Sequence, residues 1–188
     1  ADMDSDGDMD IVASSIHDDT IRWFENNGNI NPAWTTTTIV TDADHVREIT
    51  VADMDNDGDL DILSASQNDS TIAWYENDGA ANPTWAKGVI ATSASLANDV
   101  QVADLDGDGD LDIVSASVND DTIAWYENDG AADPSWAAAD IATNADGANS
   151  VFLIDLDKDG DIDILSSSYE DDTIAWYENN GAANPTFT

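Results

Sequence analysis

The sequence predicts an all-β fold, a β-propeller-type array of four repeats in which each repeat forms a four-stranded antiparallel blade. Three observations predict it: one pattern recurs four times at a spacing of 51 residues, each repeat holds four short strand-like segments, and Gly, Asn and Asp cluster between them. No segment combines helical periodicity with capping residues. Four short strands in a unit of about 40–50 residues are typical of one propeller blade.

Two sequence motifs, separated by a constant spacing, define the repeat. An acidic phrase, DMDSDGDMDIV in its first copy, precedes a strand-like phrase, DDTIRWFENNG in its first copy. The acidic phrase begins at Asp2, Asp53, Asp104 and Asp155. The chain is therefore expected to be a single repeat domain, 1–188, divided into repeats 1–43, 44–94, 95–145 and 146–188.

The four strands of a repeat are clearest in repeat 2. An apolar stretch, Ile49–Ala52, leads into the acidic loop, and a second strand, Ile62–Ser66, leaves it. The third strand, Thr71–Asn77, alternates with period two and ends in Asn-Asp-Gly, a strong turn signal. A shorter fourth strand follows at Val89–Thr92. The equivalent segments elsewhere are Val100–Ala103 and Val151–Ile154 for the first strand, Ile11–Ser15, Ile113–Ser117 and Ile164–Ser168 for the second, and Thr36–Thr41 for the fourth.

The first and last blades are expected to be incomplete. The sequence starts after the place of the first strand of repeat 1, and it stops before the fourth strand of repeat 4. Open blade edges invite pairing with another chain. Two hypotheses follow: the sequence is a window of a longer periodic protein, or neighbouring sister chains supply the missing strands and polymerise.

Composition limits the classes of partner. There are 41 acidic residues and 4 basic ones, which gives a formal net charge of −37. Nucleic acids and anionic membranes are held mainly by basic side chains, so both are excluded as partners. A hydrophobic content of 41% with seven Trp argues against disorder. The absence of Cys excludes disulfides and thiolate metal sites, and no apolar run is long enough for membrane insertion.

The acidic loop, D-x-D-x-D-G-D-x-D, is the most specific chemical signal. Hard divalent cations take six to eight oxygen ligands, which carboxylates at alternate positions of a tight loop can supply. Positions 1, 3, 5 and 9 are predicted to bind through their side chains, and position 7 through its backbone carbonyl with its carboxylate near the rim. The candidate metal residues are Asp2, Asp4, Asp6, Asp8, Asp10, Asp53, Asp55, Asp57, Asp59, Asp61, Asp104, Asp106, Asp108, Asp110, Asp112, Asp155, Asp157, Asp159, Asp161 and Asp163.

About one Ca²⁺ per repeat is expected. An EF-hand is rejected because position 12 is Ala13, Ser64, Ser115 or Ser166 where a bidentate Glu is needed, and because a strand follows instead of a helix. Magnesium is less well suited, since it prefers few carboxylates and keeps its water. Each Ca²⁺ adds two charges, so four ions would change the net charge from −37 to −29.

The Asp-rich loop followed by a strand such as Asp-Ile-Val or Asp-Ile-Leu resembles the FG-GAP or VCBS-type repeat of calcium-binding β-propellers, including integrin-α-like blades. The resemblance covers the whole chain, although the Phe-Gly and Gly-Ala-Pro signatures are absent. It implies one structural Ca²⁺ per blade, in the loop that joins the first two strands.

Catalysis finds little support in the sequence. Neither His17 nor His45 recurs in the other repeats, no Cys exists, and no G-x-S-x-G nucleophile motif occurs. The abundant carboxylates are better explained as metal ligands. The chain is therefore predicted not to be an enzyme.

Two further sets of residues are candidate binding or modification sites. The Trp residues that follow the Pro of each repeat could stack on sugar rings, and Ser or Thr after Asp resembles an acceptor for O-glycans on exported bacterial proteins. The candidate glycan-binding residues are Trp34, Trp85 and Trp136. The candidate O-glycosylation residues are Thr20, Ser70, Thr122 and Thr173.

The predicted function is that of a non-enzymatic, extracellular or cell-surface, calcium-stabilised propeller with a structural or adhesive role. Its expected partners are proteins or sister chains that contact the open blade edges, with assembly into a surface filament or matrix as one outcome. The alternative is a carbohydrate-binding lectin that uses the repeated Trp platforms.

Overall fold

The computed structural model describes residues 1–188 as fourteen strands in four antiparallel sheets. Each repeat forms one sheet whose strands are ordered as they are along the chain, for example β4-β5-β6-β7 in repeat 2. None of its elements is a helix that could cross a bilayer. The strands are β1 Ile11–Ser15, β2 Thr20–Asn26, β3 Trp34–Val40, β4 Val46–Ala52, β5 Asp61–Ser66, β6 Thr71–Asn77, β7 Trp85–Ala91, β8 Ala97–Ala103, β9 Asp112–Ser117, β10 Thr122–Asn128, β11 Trp136–Ala142, β12 Ala148–Ile154, β13 Asp163–Ser168 and β14 Thr173–Tyr177.

The all-β prediction and the incomplete end blades are confirmed. Repeats 2 and 3 form four-stranded sheets, whereas repeats 1 and 4 form three-stranded ones. After β14 only an isolated bridge between Asn179 and Phe187 marks the place of a fourth strand. The four sheets form an open, propeller-like array.

The first strands of successive repeats lie side by side along the inner line of the array. Strand β4 contacts β8, and β8 contacts β12; in repeat 1, which has no first strand, the second strand β1 contacts β4 instead. The Thr50 hydroxyl donates to the Val100 carbonyl at 2.8 Å. The Asp99 carboxylate accepts from the Ser150 hydroxyl at 2.6 Å and from the Val151 N–H at 2.9 Å. Polar contacts between repeats therefore fix the spacing of the blades.

The hydrophobic core is divided among the three junctions between neighbouring blades. At the junction of repeats 2 and 3, Leu63 and Trp74 pack with Ile113 and Tyr126. Because side chains alternate along a strand, each inner sheet sends one set to the preceding blade and the other to the following blade. This explains why both faces of β6 and β10 are apolar.

Two sets of strand boundaries differ by two to four residues from the sequence prediction. The fourth strands begin earlier, at Trp34, Trp85 and Trp136, because Trp85 still pairs with Asn77 and its equivalents pair in the same way. The first strands begin three residues earlier, at Val46, Ala97 and Ala148, and each crosses a register shift near its start. Most of the added residues have a weak β propensity of their own. They join the first and fourth strands because they pair with a neighbouring strand.

Candidate metal centre

The acidic loop of each repeat gathers three carboxylates at its start. In repeat 2, where the loop joins β4 to β5, Asp53, Asp55 and Asp57 each offer an oxygen within 4.8 Å of the other two. The same group forms in every repeat. The other groups are Asp2, Asp4 and Asp6; Asp104, Asp106 and Asp108; and Asp155, Asp157 and Asp159.

The glycine at loop position 6 is required by the backbone. Gly58 has a φ of 99°, a conformation that residues with a Cβ rarely adopt. Gly7, Gly109 and Gly160 have φ values of 96°, 101° and 106°. This turn brings position 7 back toward position 5, so that the carboxylates converge instead of spreading along an extended chain.

Backbone N–H groups orient the carboxylates within the loop. The two oxygens of Asp53 accept from the Asp57 and Gly58 N–H groups at 3.2 and 3.0 Å. One oxygen of Asp57 accepts from the Asp59 N–H at 2.9 Å. The same bonds hold Asp2 and Asp6 in repeat 1, at 2.9 to 3.1 Å. The loop is therefore organised around its acidic side chains.

The Asp at position 9 lies outside the three-carboxylate group and ties the loop to its sheet. Asp61 is 1% exposed. Its carboxylate accepts from the Met54 N–H at 3.1 Å and from the Asn77 N–H at 2.8 Å. Burial raises its pKa to about 6, and the nearby Asp55 adds to that effect. The equivalents Asp10, Asp112 and Asp163 accept the same pair of N–H groups.

The carboxylate at position 7 packs against the turn that follows the third strand. An oxygen of Asp59 lies 2.0 Å from where a Cβ on Gly79 would be, so only glycine fits beside it. Gly28, Gly130 and Gly181 meet Asp8, Asp110 and Asp161 at 2.0 to 2.1 Å in the same way. The sequence indicated these glycines as turn residues, but their second role depends on a contact 20 residues away. The recurrence of both residues in every repeat was the signal for it.

The residues present fit a hard divalent cation. The candidate metal ligands of the loop are all carboxylate oxygens. One of them, Asp4 Oδ1, is buried without a hydrogen-bond partner. Desolvation, followed by the charge of Asp57, raises the pKa of Asp55, and desolvation also raises the pKa of Asp106. A bound cation would satisfy the unpaired oxygen and offset the repulsion among the carboxylates. Each loop can therefore hold a metal ion of the calcium type.

A family model described as FG-GAP-like repeat matches residues 2–64, 53–115 and 104–166. The chain belongs to the FG-GAP-like repeat family. Each match runs from one acidic loop through the loop of the next repeat, so the FG-GAP-like unit contains the metal group and the junction beyond it. FG-GAP-like repeats are generally non-enzymatic and are typical of extracellular proteins. No curated protein matches this chain in sequence.

The predicted glycan-binding Trp residues differ in their surroundings. Trp34 is 44% exposed and lines a groove with Ile11 and Phe24. Trp85 packs against the core between repeats 1 and 2. Trp136 meets Trp74 edge to face at a centroid distance of 6.5 Å. The rings of Trp85 and Trp136 thus contribute to packing between blades, and sugar binding by this set stays a prediction.

The four candidate O-glycosylation residues lie at or just before the start of a third strand. Thr20 is buried and its hydroxyl has no hydrogen-bond partner. Ser70 adopts a positive φ of 58° in the turn before β6. Thr122 is half-buried, whereas Thr173 is exposed. Glycosylation at these positions stays a prediction, and Thr173 is the most accessible acceptor.

Proposed function

We propose that this chain is a non-enzymatic extracellular module in which Ca²⁺ stabilises an array of blades that serves a structural or adhesive role. The observation that carries the proposal is the link between the metal group of each of the first three repeats and the next blade. The Asn77 side-chain N–H group donates to the Met3 carbonyl at 2.9 Å, across 74 residues. Asn128 and Asn179 make the same bond to Met54 and Leu105.

This link couples metal binding to the junctions between blades. Met3, Met54 and Leu105 occupy loop position 2, between the first two carboxylates of the metal group, and their side chains are buried in the junctions. A cation that orders the loop therefore also fixes the carbonyl and the apolar side chain on which the next blade rests. Extracellular calcium, near millimolar, would fill even weak sites of this kind.

The two end faces supply a surface for sister chains. Ile174 is 82% exposed, and Trp176 and Leu156 are exposed beside it, whereas their equivalents in repeats 2 and 3 are buried in junctions. At the other end, Ile11 lies open, whereas its equivalent Ile62 is fully buried. The face of repeat 4 thus matches the faces that receive a following blade. We infer that a second copy can continue the array from head to tail.

Light scattering tests this assembly. In millimolar calcium we expect particle masses that are multiples of 20.0 kDa and increase with protein concentration. Ile174→Asp should reduce them to the monomer, because it places a charge in an apolar junction. Val89→Asp is the matched control, since Val89 is also exposed but lies on β7, away from both ends of the array. A monomeric wild type at all concentrations would contradict assembly through sister chains.

The pH dependence of stability should reverse when calcium is removed. The pKa of Asp61 and that of Asp112 are raised to about 6 in the fold, above their ordinary value of 3.8. Without calcium the folded state therefore binds more protons, and stability should fall as the pH rises from 5 to 7.5. With excess calcium, protons compete with the ion, so stability should rise over the same interval. Calorimetric melting temperatures in chelator and in calcium check this, and equal slopes would contradict it.

A further inference from the structure

The two ion pairs of the chain lie on the same face of successive blades. In repeat 1 the Arg22 guanidinium pairs with Asp18, and in repeat 2 the Lys87 ammonium pairs with Asp42 at 3.0 Å. Arg22 and Lys87 are two of only four basic residues. Lys87 pairs directly with Tyr75 of the neighbouring third strand, and Arg22 lies two residues before Phe24 on β2, on the same face of that strand. Each of these blades therefore supplies its own cation at this place.

Repeat 3 has a cavity at this place and no cation. The cavity has a volume of about 210 Å³, and Ser117, Ala124 and Tyr126 lie among the residues of its lining. Asp120 and Asp140 contribute carboxylates to it. The position of Lys87 is occupied by Ala138, whose short side chain cannot fill this space.

Repeat 3 keeps acidic side chains around this position although it has no basic residue there. In repeat 2 the carboxylates near Lys87 are Asp42 and Asp69. In repeat 3 Asp120 occupies the position of Asp69. Ser93 occupies the position of Asp42, and Asp140 supplies the second carboxylate instead. Both Asp120 and Asp140 lie close enough to Tyr126 to raise the pKa of its hydroxyl, after burial, which is the larger cause.

The lining of the cavity also includes a buried hydroxyl group and an aromatic ring. Ser117 is 1% exposed and lines the cavity. In repeat 2 the Lys87 nitrogen lies 5.9 Å from the centroid of the Tyr75 ring, within the range of a cation–π contact. Tyr126 offers the same ring in repeat 3.

We propose that the cavity of repeat 3 binds a primary alkylammonium group, such as the end of a lysine side chain on a protein partner. Two carboxylates neutralise its charge, and its alkyl stem lies along the Tyr126 ring. Repeat 2 shows the bound state in tethered form, with Lys87 as the internal ligand. This inference goes beyond the calcium-dependent role and does not rest on it.

NMR titration of the calcium-loaded protein tests the site. n-Butylammonium is the probe, n-butanol the neutral control, and tetramethylammonium a cation without N–H donors. We expect saturable shifts of the Tyr126 ring signals with n-butylammonium and much smaller ones with both controls. Asp140→Asn should weaken binding about tenfold or more, as expected for the loss of one charged hydrogen-bond partner. A lysine-containing peptide and its acetyl-lysine counterpart then distinguish a protein side chain from a free amine.

Two variants use the repeat as its own control. Ala138→Lys places the internal ligand of repeat 2 in repeat 3 and should abolish binding of the probe at Tyr126. Lys87→Ala should open a second site, seen as new saturable shifts at Tyr75. Unsaturable shifts in the wild type, equal binding of n-butanol, or unchanged binding in Ala138→Lys would overturn the proposal. None of these outcomes bears on calcium binding, which is measured separately.

Discussion

Chelation of calcium should lower the melting temperature by more than 10 °C. Sites with dissociation constants of about 10⁻⁴–10⁻³ M, at 10 mM calcium, each contribute about 1.4–2.7 kcal/mol to stability. For a chain of this size, about 1 kcal/mol shifts the melting temperature by about 2–4 °C. Four sites acting on connected junctions would therefore shift it by about 10–40 °C. Scanning calorimetry before and after addition of a chelator measures the effect directly.

Single-site variants show whether the effect arises in the loops. Asp55→Asn and Asp106→Asn should each lower the number of bound ions by one, as counted by calorimetric titration, and should reduce the gain in melting temperature from calcium. Asp133→Asn is the matched control, because it removes the same charge from an exposed position outside the loops. Calcium stabilisation through these groups would be contradicted by a melting temperature that the chelator does not change. It would also be contradicted if Asp133→Asn reduced the gain in melting temperature from calcium by the same amount.

Asn128→Ala should cost about 2–4 kcal/mol of unfolding free energy, because buried backbone carbonyls lose their donor. The Asn128 side chain donates to Met54 O at 2.9 Å and to Leu111 O at 3.1 Å, and it accepts from the Gly130 N–H. The bond to Met54 crosses the junction between blades, so its loss also loosens the metal loop of repeat 2. Denaturant unfolding in saturating calcium measures the cost.

Asn26→Ala provides the matched control for the junction bond. Asn26 occupies the same place in repeat 1 and bonds to the Met9 carbonyl and the Gly28 N–H, but it makes no bond to a preceding repeat. It should therefore cost only about 1 kcal/mol. The difference between the two variants isolates the contribution of the contact between blades. Equal losses would mean that the junction bond adds nothing to stability.

Much of the fold followed from local pattern. The acidic loops, the second and third strands and the incomplete end blades could be predicted because each depends on residues close together in the chain and repeated in phase. The starts of the first and fourth strands could not, because Trp85 enters β7 only through pairing with Asn77 on β6. The β propensity of one segment carries no information about the register in which it pairs with a neighbouring strand.

The same division holds for the candidate site. The spacing of Asp53, Asp55 and Asp57 predicted their convergence, and the position of Gly58 predicted the turn that permits it. The two backbone bonds of Asp61, the packing of Asp59 on Gly79 and the junction bond of Asn77 were not predicted. These contacts join segments 7 to 74 residues apart, so nothing in the local sequence specifies them.

The sequence by itself determined the repeat, the β-class of its segments and the residues of the acidic loops, because these are local properties expressed four times. Only the tertiary structure decided which face of each strand meets which neighbour. It also decided that the loops of the first three repeats are each tied to the next blade, and that Lys87 and Arg22 occupy a place that repeat 3 leaves open. The physical reason is that stacking of sheets brings together side chains from different repeats, and their contacts depend on geometry that no single repeat contains.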